Sequence, residues 1–209
     1  MKFYNKYILP QLINRVCSQY DISMMRSRLV PMAKGKTLEI GMGSGLNLPF
    51  YDPSKIDMVL GLEPVAHLRS MAEKKAIDLP FEVKFIGVSG GVSGEDIPLE
   101  DNSVDTVLIT YTLCTIPDVF KALKEMNRVL KPKGKLIFCE HGKSPDDHIF
   151  KWQNRLNPVW TKISGGCNLN RHISKMIQES GFKIVNLDSG YISPLKLVGF
   201  NYKGVAVPS

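Results

Sequence analysis

The order of apolar and polar positions along this 209-residue chain predicts alternating helices and strands. Tyr4, Ile8, Leu12, Ile13, Val16 and Tyr20 recur at mostly helical spacing, so a helix is expected over 4–20, kinked or reopened at Pro10. A second short helix is expected over 21–32. After Lys34-Gly35-Lys36 the period changes, and Thr37-Leu38-Glu39-Ile40 is a short β-type run. Further strands are expected at 58–62, 81–88, 104–110 and 135–139, with helices over 65–75 and 119–130. Residues 142–167, containing Trp152, Pro158, Trp160 and Gly165-Gly166, read as irregular. A helix over 169–180 follows, closed by Gly181.

Strand runs at 183–187 and 197–207 end the chain with no helix between them. Strands separated by helices pair in parallel through right-handed crossovers. Two strands joined by a loop alone make an antiparallel pair at one edge. The expected fold is therefore α/β, with an N-terminal helical cap over 1–36 and one catalytic-size domain over 37–209, inside which 142–168 is the loop region.

Composition narrows the class. The chain is 44% hydrophobic and 22% charged, a soluble globular balance. No apolar run approaches the ~18 residues of a membrane span, and the front shows no secretory cleavage pattern, so a cytoplasmic protein is expected. Cys17, Cys114, Cys139 and Cys167 are scattered without a CxxC, which reads as free thiols. Cys139 and His141 could seed a metal site, but no second pair stands at ligand spacing, so no metal is expected.

The net charge of +7 is concentrated at the front, where residues 1–36 hold seven basic side chains against the single acid Asp21. Such a front suits peripheral contact with an anionic membrane. The plainer reading, which we favour, is a solvated helix face whose apolar underside packs on the body. No basic stripe interleaved with aromatics runs through the body, so nucleic acid is not expected as a partner.

The chemistry lies between the first two strands. In Glu39-Ile40-Gly41-Met42-Gly43-Ser44-Gly45, glycines fill alternate positions between a strand and a helix-favouring segment, where a ligand can approach bare backbone. Glu63, at the tip of the second strand in Gly61-Leu62-Glu63-Pro64, is suited to accept hydrogen bonds from a ribose diol. The pair points to an adenosine-containing ligand. Leu46 stands where a dinucleotide loop needs its third glycine, which makes an NAD-dependent oxidoreductase remote. Glu39 can anchor the loop or reach the ligand's amino end.

With 95–105 (Glu-Asp-Ile-Pro-Leu-Glu-Asp-Asn-Ser-Val-Asp) and 128–135 (Arg-Val-Leu-Lys-Pro-Lys-Gly-Lys), these motifs resemble class I S-adenosylmethionine-dependent methyltransferases over about 37–140. The resemblance implies a Rossmann-like seven-stranded sheet in the order 3-2-1-4-5-7-6 with strand 7 antiparallel. It implies the cofactor's methionine part over Gly41, Gly43 and Gly45, with Glu39 and Asn47 in the same set. Glu63 would hold the ribose, Pro64 would lie beside the adenine, and the Ser93-Gly94-Glu95 turn would meet the adenine edge. Thr110 and Leu113 would lie near the sulfonium.

Gly45-Leu46-Asn47-Leu48-Pro49-Phe50-Tyr51, Leu113-Cys114-Thr115, Glu140-His141, Trp152-Gln153, Asn157-Pro158-Val159-Trp160 and 166–171 (Gly-Cys-Asn-Leu-Asn-Arg) carry a narrower resemblance. In order, they are similar to the animal methyltransferase-like thiol S-methyltransferases and their bacterial relatives. The animal proteins begin with a hydrophobic membrane anchor, and no apolar run of that kind opens this sequence.

The resemblance implies in-line methyl transfer to a small thiol or lipophilic acceptor. A neutral thiol, hydroxyl or ammonium acceptor needs a base or a lowered pKa. Tyr111, Cys114 and His141 are the candidate catalytic residues, with Glu140 beside them. His141 serves equally well as a structural histidine, Cys114 as a pocket lining and Tyr111 as packing. Trp152 and Trp160 are expected to close a core, and Arg171 to anchor a loop or meet an anionic acceptor. The alternatives are phospholipid amine methylation at a membrane surface and a non-catalytic cofactor-binding scaffold.

Overall fold

The computed structural model describes residues 4, 8–87 and 94–209. Two helices lead in, α1 (Leu9–Cys17) and α2 (Tyr20–Leu29), with Pro10 in the first turn of α1, where its missing N–H costs nothing. The first strand, β1 (Gly35–Ile40), is followed by β2 (Ile56–Leu62), α3 (Ala66–Ala76), β3 (Glu82–Ile86), β4 (Val104–Thr110), α4 (Val119–Val129) and β5 (Leu130–His141). Then come α5 (Asp147–Ile163), α6 (Ile173–Glu179), β6 (Phe182–Tyr191), the single turn α7 (Lys196–Gly199) and β7 (Phe200–Pro208).

The seven strands form one sheet in the order β3-β2-β1-β4-β5-β7-β6. The first five are parallel, and β7 runs antiparallel to both β5 and β6. Strand order reverses between β1 and β4, and that switch point opens the crevice at the carboxyl ends of the strands.

Alternation along the central strands sorts side chains onto two faces. Val107 and Ile109 of β4, with Leu136 and Phe138 of β5, meet Ala122, Leu123 and Met126 of α4 and Ile173 and Ile177 of α6. Leu108 of β4 and Ile137 of β5 face the other way, toward Met25 and Leu29 of α2 and Ala72 of α3. Because both faces are covered, these strands are apolar almost throughout rather than alternating with polar residues.

Several elements differ from the sequence expectation, among them the single helical turn α7 between the last two strands, where no helix was expected, and β5, which begins at Leu130. Residues 147–163, expected to be irregular, form the 17-residue α5 with Pro158 inside it. Asp146 caps it, its Oδ1 accepting from His148 N at 3.0 Å. Buried Gln153 ties the helix to the body by donating to Gly142 O and Leu197 O and accepting from Ser144 N. These tertiary bonds outweigh the cost of a mid-helix proline. Trp152 on this helix is 43% exposed, not a core residue. The strand expected over 81–88 is observed as Glu82–Ile86, residue 88 lying outside the described part. The helix expected over 169–180 starts only at Ile173, because Leu169 N is engaged by the Asn157 side chain at 2.8 Å.

The apolar stripe of α1 also lies differently from the favoured expectation. Leu9 and Pro10 are buried, whereas Ile8, Leu12, Ile13 and Val16 are exposed. The helix is held through its polar face instead, Ser44 Oγ donating to Asn14 Oδ1 at 2.5 Å. No helix among the described residues is long and apolar enough to cross a membrane.

Candidate functional site

At the end of β1 the chain turns through Gly41, φ +67°, with Gly41 N and Met42 N donating to Leu62 O. A Cβ at Gly41 would run into the Thr112 side chain, so the close approach of the β4 tip requires glycine there. Gly43, φ +60°, has a different reason. A Cβ there would meet nothing nearer than Gly41 O at 4.0 Å, so its backbone faces open space. That space is a cavity of about 310 Å³, within the range of small-ligand sites.

Glu63 borders the cavity with its carboxylate pinned: Oε2 accepts from Gly43 N and Oε1 from Val65 N, both at 2.8 Å. Burial raises its pKa, and the two backbone N–H groups oppose the rise. Each oxygen keeps a second lone pair for an outside donor. Pro64 and Gly94 border the same cavity.

Glu39 does not reach the cavity. It anchors the loop from behind, Oε1 accepting from Asn47 Nδ2 at 2.9 Å and Oε2 from the Tyr51 hydroxyl at 2.7 Å. Burial pushes its pKa up to about 7 against those hydrogen bonds. Asn47 also lies behind the wall. Its Oδ1 accepts from Arg26 Nη1 at 2.5 Å, and the same Nη1 donates to Thr110 Oγ1 at 2.9 Å.

Arg26 is the residue that sequence reasoning missed. It comes from α2, is 5% exposed, borders the cavity, and its Nε is buried without a partner among the described residues. Nothing in the local pattern of α2 marked it. The available signal was Asn47 in the glycine segment, a short polar side chain that had to satisfy something.

The β4 tip forms the far wall. Thr110, Tyr111 and Thr112 border the cavity, and Tyr111 adopts φ +53°, a conformation that side chains rarely take. Its hydroxyl donates to Asn201 Oδ1 at 2.8 Å, away from the cavity, and burial raises its pKa far above the ordinary value. As a base it has nothing to offer near neutral pH. Leu113 is fully buried in the core and does not line the cavity, contrary to expectation. Its backbone N and that of Thr112 donate instead to Glu140 Oε1.

Glu95 accepts from Asp118 N at 2.7 Å, at the start of α4, and Ser93 lies outside the described residues. Arg171 anchors the loop, donating to Leu113 O and Pro117 O.

Cys114, His141 and Cys167, the last from the turn after α5, do not line the cavity but gather with their ligand atoms within 4.8 Å of one another. Thr115 and Gly165, close to Cys114 and Cys167 in sequence, border the cavity. His141 Nε2 is 3.1 Å from Cys167 Sγ. The Cys114 thiol and the His141 ring lower the Cys167 pKa, whereas contact with Cys167 and burial hold the Cys114 thiol well above its ordinary value. Burial alone would lower the His141 pKa, but Cys167 and Glu140 outweigh it and raise it. Burial pushes Glu140 up to about 7, against the two backbone N–H groups on Oε1.

Residues 38–138 match a family model described as a methyltransferase domain. Human thiol S-methyltransferase TMT1B is 36% identical over 165 residues, 75% of this chain and 64% of the relative. Human thiol S-methyltransferase TMT1A is 33% identical over the same shares of each chain. This chain thus spans a little under two thirds of the length of these curated relatives.

The ubiquinone/menaquinone biosynthesis C-methyltransferase UbiE of Rickettsia prowazekii is 27% identical, over 90% of this chain and 91% of that one. Among solved structures, the complex of the Haloferax volcanii Trm112 activator with its methyltransferase contains a chain that superposes with TM-score 0.70 at 17% identity, over 99% of this chain and 96% of that one. A Thermotoga maritima S-adenosylmethionine-dependent methyltransferase superposes with TM-score 0.63 at 21% identity, covering 98% and 99%. At such identities these two speak for the fold.

Proposed function

From the methyltransferase-domain match and the thiol S-methyltransferase relatives, we propose that the chain is an S-adenosylmethionine-dependent methyltransferase that methylates a small thiol acceptor. The observation that carries the reading is the gathering of Cys114, His141 and Cys167 beside the cavity. They come from three separated segments that the chain has in common with thiol S-methyltransferases in its sequence resemblance.

The residues present fit the cofactor. Arg26 offers a buried, unpartnered donor in the cavity wall for a carboxylate, and Glu63 offers a fixed acceptor pair for a ribose diol. Gly43 leaves bare backbone open to the methionine part. Pro64, Val65 and Ile116 supply apolar walls suited to an adenine. When bound, S-adenosylmethionine supplies an electrophilic methyl group on a positively charged sulfur.

The chain's own part is to align and shield. Ile13 and Cys17 of α1 border the cavity and help close it against water, which would otherwise compete with the acceptor. The acceptor approaches over Thr112, Thr115 and Gly165, the part of the cavity wall next to the sulfur cluster. Tyr111 steers by shape alone, since its hydroxyl is committed to Asn201. A thiol must shed its proton to react well, and the groups around the cluster are where that proton is managed.

Incubating the protein with S-adenosylmethionine and matched thiol, amine and hydroxyl acceptors, and measuring S-adenosylhomocysteine, tests the reading. Product from thiols alone is expected. Product from amines with none from thiols overturns it.

Peripheral membrane contact is a second proposal, on the exposed apolar stripe of α1 and the exposed Trp152, Leu156, Val159 and Ile163 of α5. Tyr4 hydroxyl donates to Ile163 O, which sets Tyr4 beside the end of α5. A lipophilic thiol could then enter from the bilayer surface.

A further inference from the structure

We propose that Cys114 Sγ, His141 Nε2 and Cys167 Sγ form a three-ligand site for a soft divalent cation of the zinc class, with an open position that takes the acceptor thiol as a thiolate. The proposal rests on the thiol reading above and adds the means by which the acceptor is activated.

The three ligand atoms lie within 4.8 Å of one another. Tetrahedral zinc with Zn–S near ~2.3 Å and Zn–N near ~2.0 Å separates its ligand atoms by roughly 3.5–3.8 Å. His141 Nε2 and Cys167 Sγ stand at 3.1 Å, so small side-chain rotations suffice to admit the ion. Thiolate and imidazole are the donors that soft cations prefer over magnesium or calcium. Two cysteines and one histidine with a fourth position open is a pattern of catalytic rather than structural zinc.

The scaffold around the ligands is fixed. Cys114 follows the β4 tip, and His141 ends β5. Cys167 sits after Gly165 and Gly166, both at positive φ. Asn168 locks the turn to the tip, its backbone N and its Nδ2 both donating to Cys114 O at 2.9 and 3.0 Å. Ligands held by backbone bonds lose little freedom on metal binding.

Charge also fits: two thiolates neutralise a dication, which suits a buried place. Two buried polar atoms at the same strand end, Glu140 Oε2 and His141 Nδ1, have no partner among the described residues. His141 Nδ1 therefore keeps its proton while Nε2 faces the ion, and Glu140 Oε2 is left as an acceptor for a water on the ion. The proposal puts the open position toward the cavity, which Thr115 and Gly165, near neighbours in sequence of Cys114 and Cys167, border.

The step balances without another reactant. The acceptor's S–H bond breaks, its sulfur donates a lone pair to the cation, and the proton passes to solvent. One proton is released per thiol bound. Methylation then turns a strong thiolate ligand into a weakly binding thioether, which favours release of product.

The test uses the full chain purified without chelator and needs no turnover. Wild-type protein is expected to hold about one equivalent of zinc by mass spectrometry of metals. Cobalt replacement should show tetrahedral thiolate-to-metal absorption that shifts when a small alkanethiol is added. Cys114→Ser, His141→Ala and Cys167→Ser should each weaken zinc binding by roughly 100-fold or more. The control, His67→Gln at an exposed position on α3, should retain the metal.

Circular dichroism of each variant separates ligand loss from misfolding, and the wild-type cobalt spectrum stands whether or not a variant folds. Thiol methylation by metal-free protein at the same rate overturns the proposal while leaving the thiol reading intact. A Cys114–Cys167 disulfide in freshly isolated protein that takes up no cobalt after reduction overturns it as well. Stoichiometric metal whose spectrum ignores every thiol overturns the open-position assignment.

Discussion

Arg26 Nη1 lies 2.5 Å from Asn47 Oδ1, and this bond joins the N-terminal helices to the glycine loop. Behind it, Asn47 Nδ2 donates to Glu39 Oε1 and the Tyr51 hydroxyl to Glu39 Oε2. A buried cation thus reaches a buried carboxylate through a neutral amide, and Arg26, which borders the cavity, keeps its Nε without a partner among the described residues. The arrangement makes α2 part of the binding site rather than a cover on it.

Arg26→Met should therefore weaken S-adenosylmethionine binding by about 1.5–3 kcal/mol, the usual worth of a hydrogen bond to a charged partner. Isothermal calorimetry reads this directly. Unchanged affinity would show that the guanidinium serves only the Asn47 network.

Glu63→Ala should cost about 1–3 kcal/mol in cofactor affinity, because the ribose hydroxyls lose their charged acceptor. It also frees Gly43 N and Val65 N, so Glu63→Gln, which keeps one acceptor oxygen, should lie between the two in the same titration.

The two loop glycines should separate fold from binding. Gly41→Ala forces Thr112 aside and should lower the melting temperature sharply. Gly43→Ala has room for its methyl, so stability should fall by only about 1 kcal/mol, from the left-handed backbone. Cofactor affinity should fall in both. A Gly43→Ala protein that binds normally would mean that the ligand does not cross that backbone.

Glu140 gives a pH signature. Its pKa is about 7 in the folded chain against an ordinary 4.5, the difference coming from burial. Between those values the unfolded chain loses a proton that the folded chain keeps, so folding weakens as pH rises through this window and levels off above it. Glu39, also near 7, acts in the same direction. Denaturation midpoints measured from pH 4.5 to 8 should fall with pH for the wild type and fall less for Glu140→Gln.

If the exposed stripe of α1 meets a bilayer, Leu12→Ser/Val16→Ser should lose co-sedimentation with anionic vesicles while keeping cofactor affinity. Equal sedimentation of variant and wild type would remove that second proposal.

The parallel pairing of strands separated by helices, the antiparallel final pair and the glycine loop with its acid partner were legible because each is written locally, whereas the strand order was implied only by the family resemblance. A β period, a helix between strands and glycines at fixed offsets all leave marks within a few residues. Glu63, Gly41 and Gly43 could be named from such marks. Residues 147–163 could not, since Pro158 and its neighbours carry a loop signature and only the bonds made by Gln153 and Asp146 make the helix pay. Leu113 was expected at the cavity and lies in the core, because it sits in the turn after β4, whose course is set by the left-handed backbone of Tyr111 and by the bonds of Thr112 N and Leu113 N to Glu140.

By itself the sequence determined a mostly parallel sheet with an antiparallel pair at one edge and an adenosine-type loop after its first strand, since hydrophobic period and glycine placement act at short range. Tertiary structure alone decided that Arg26 enters the cavity, that Tyr111 turns its hydroxyl away, and that Cys114, His141 and Cys167 converge. Those contacts join segments far apart in the chain, brought together by the packing of α2, α5 and the strand tips, and no spacing along a sequence encodes a distance that exists only after folding.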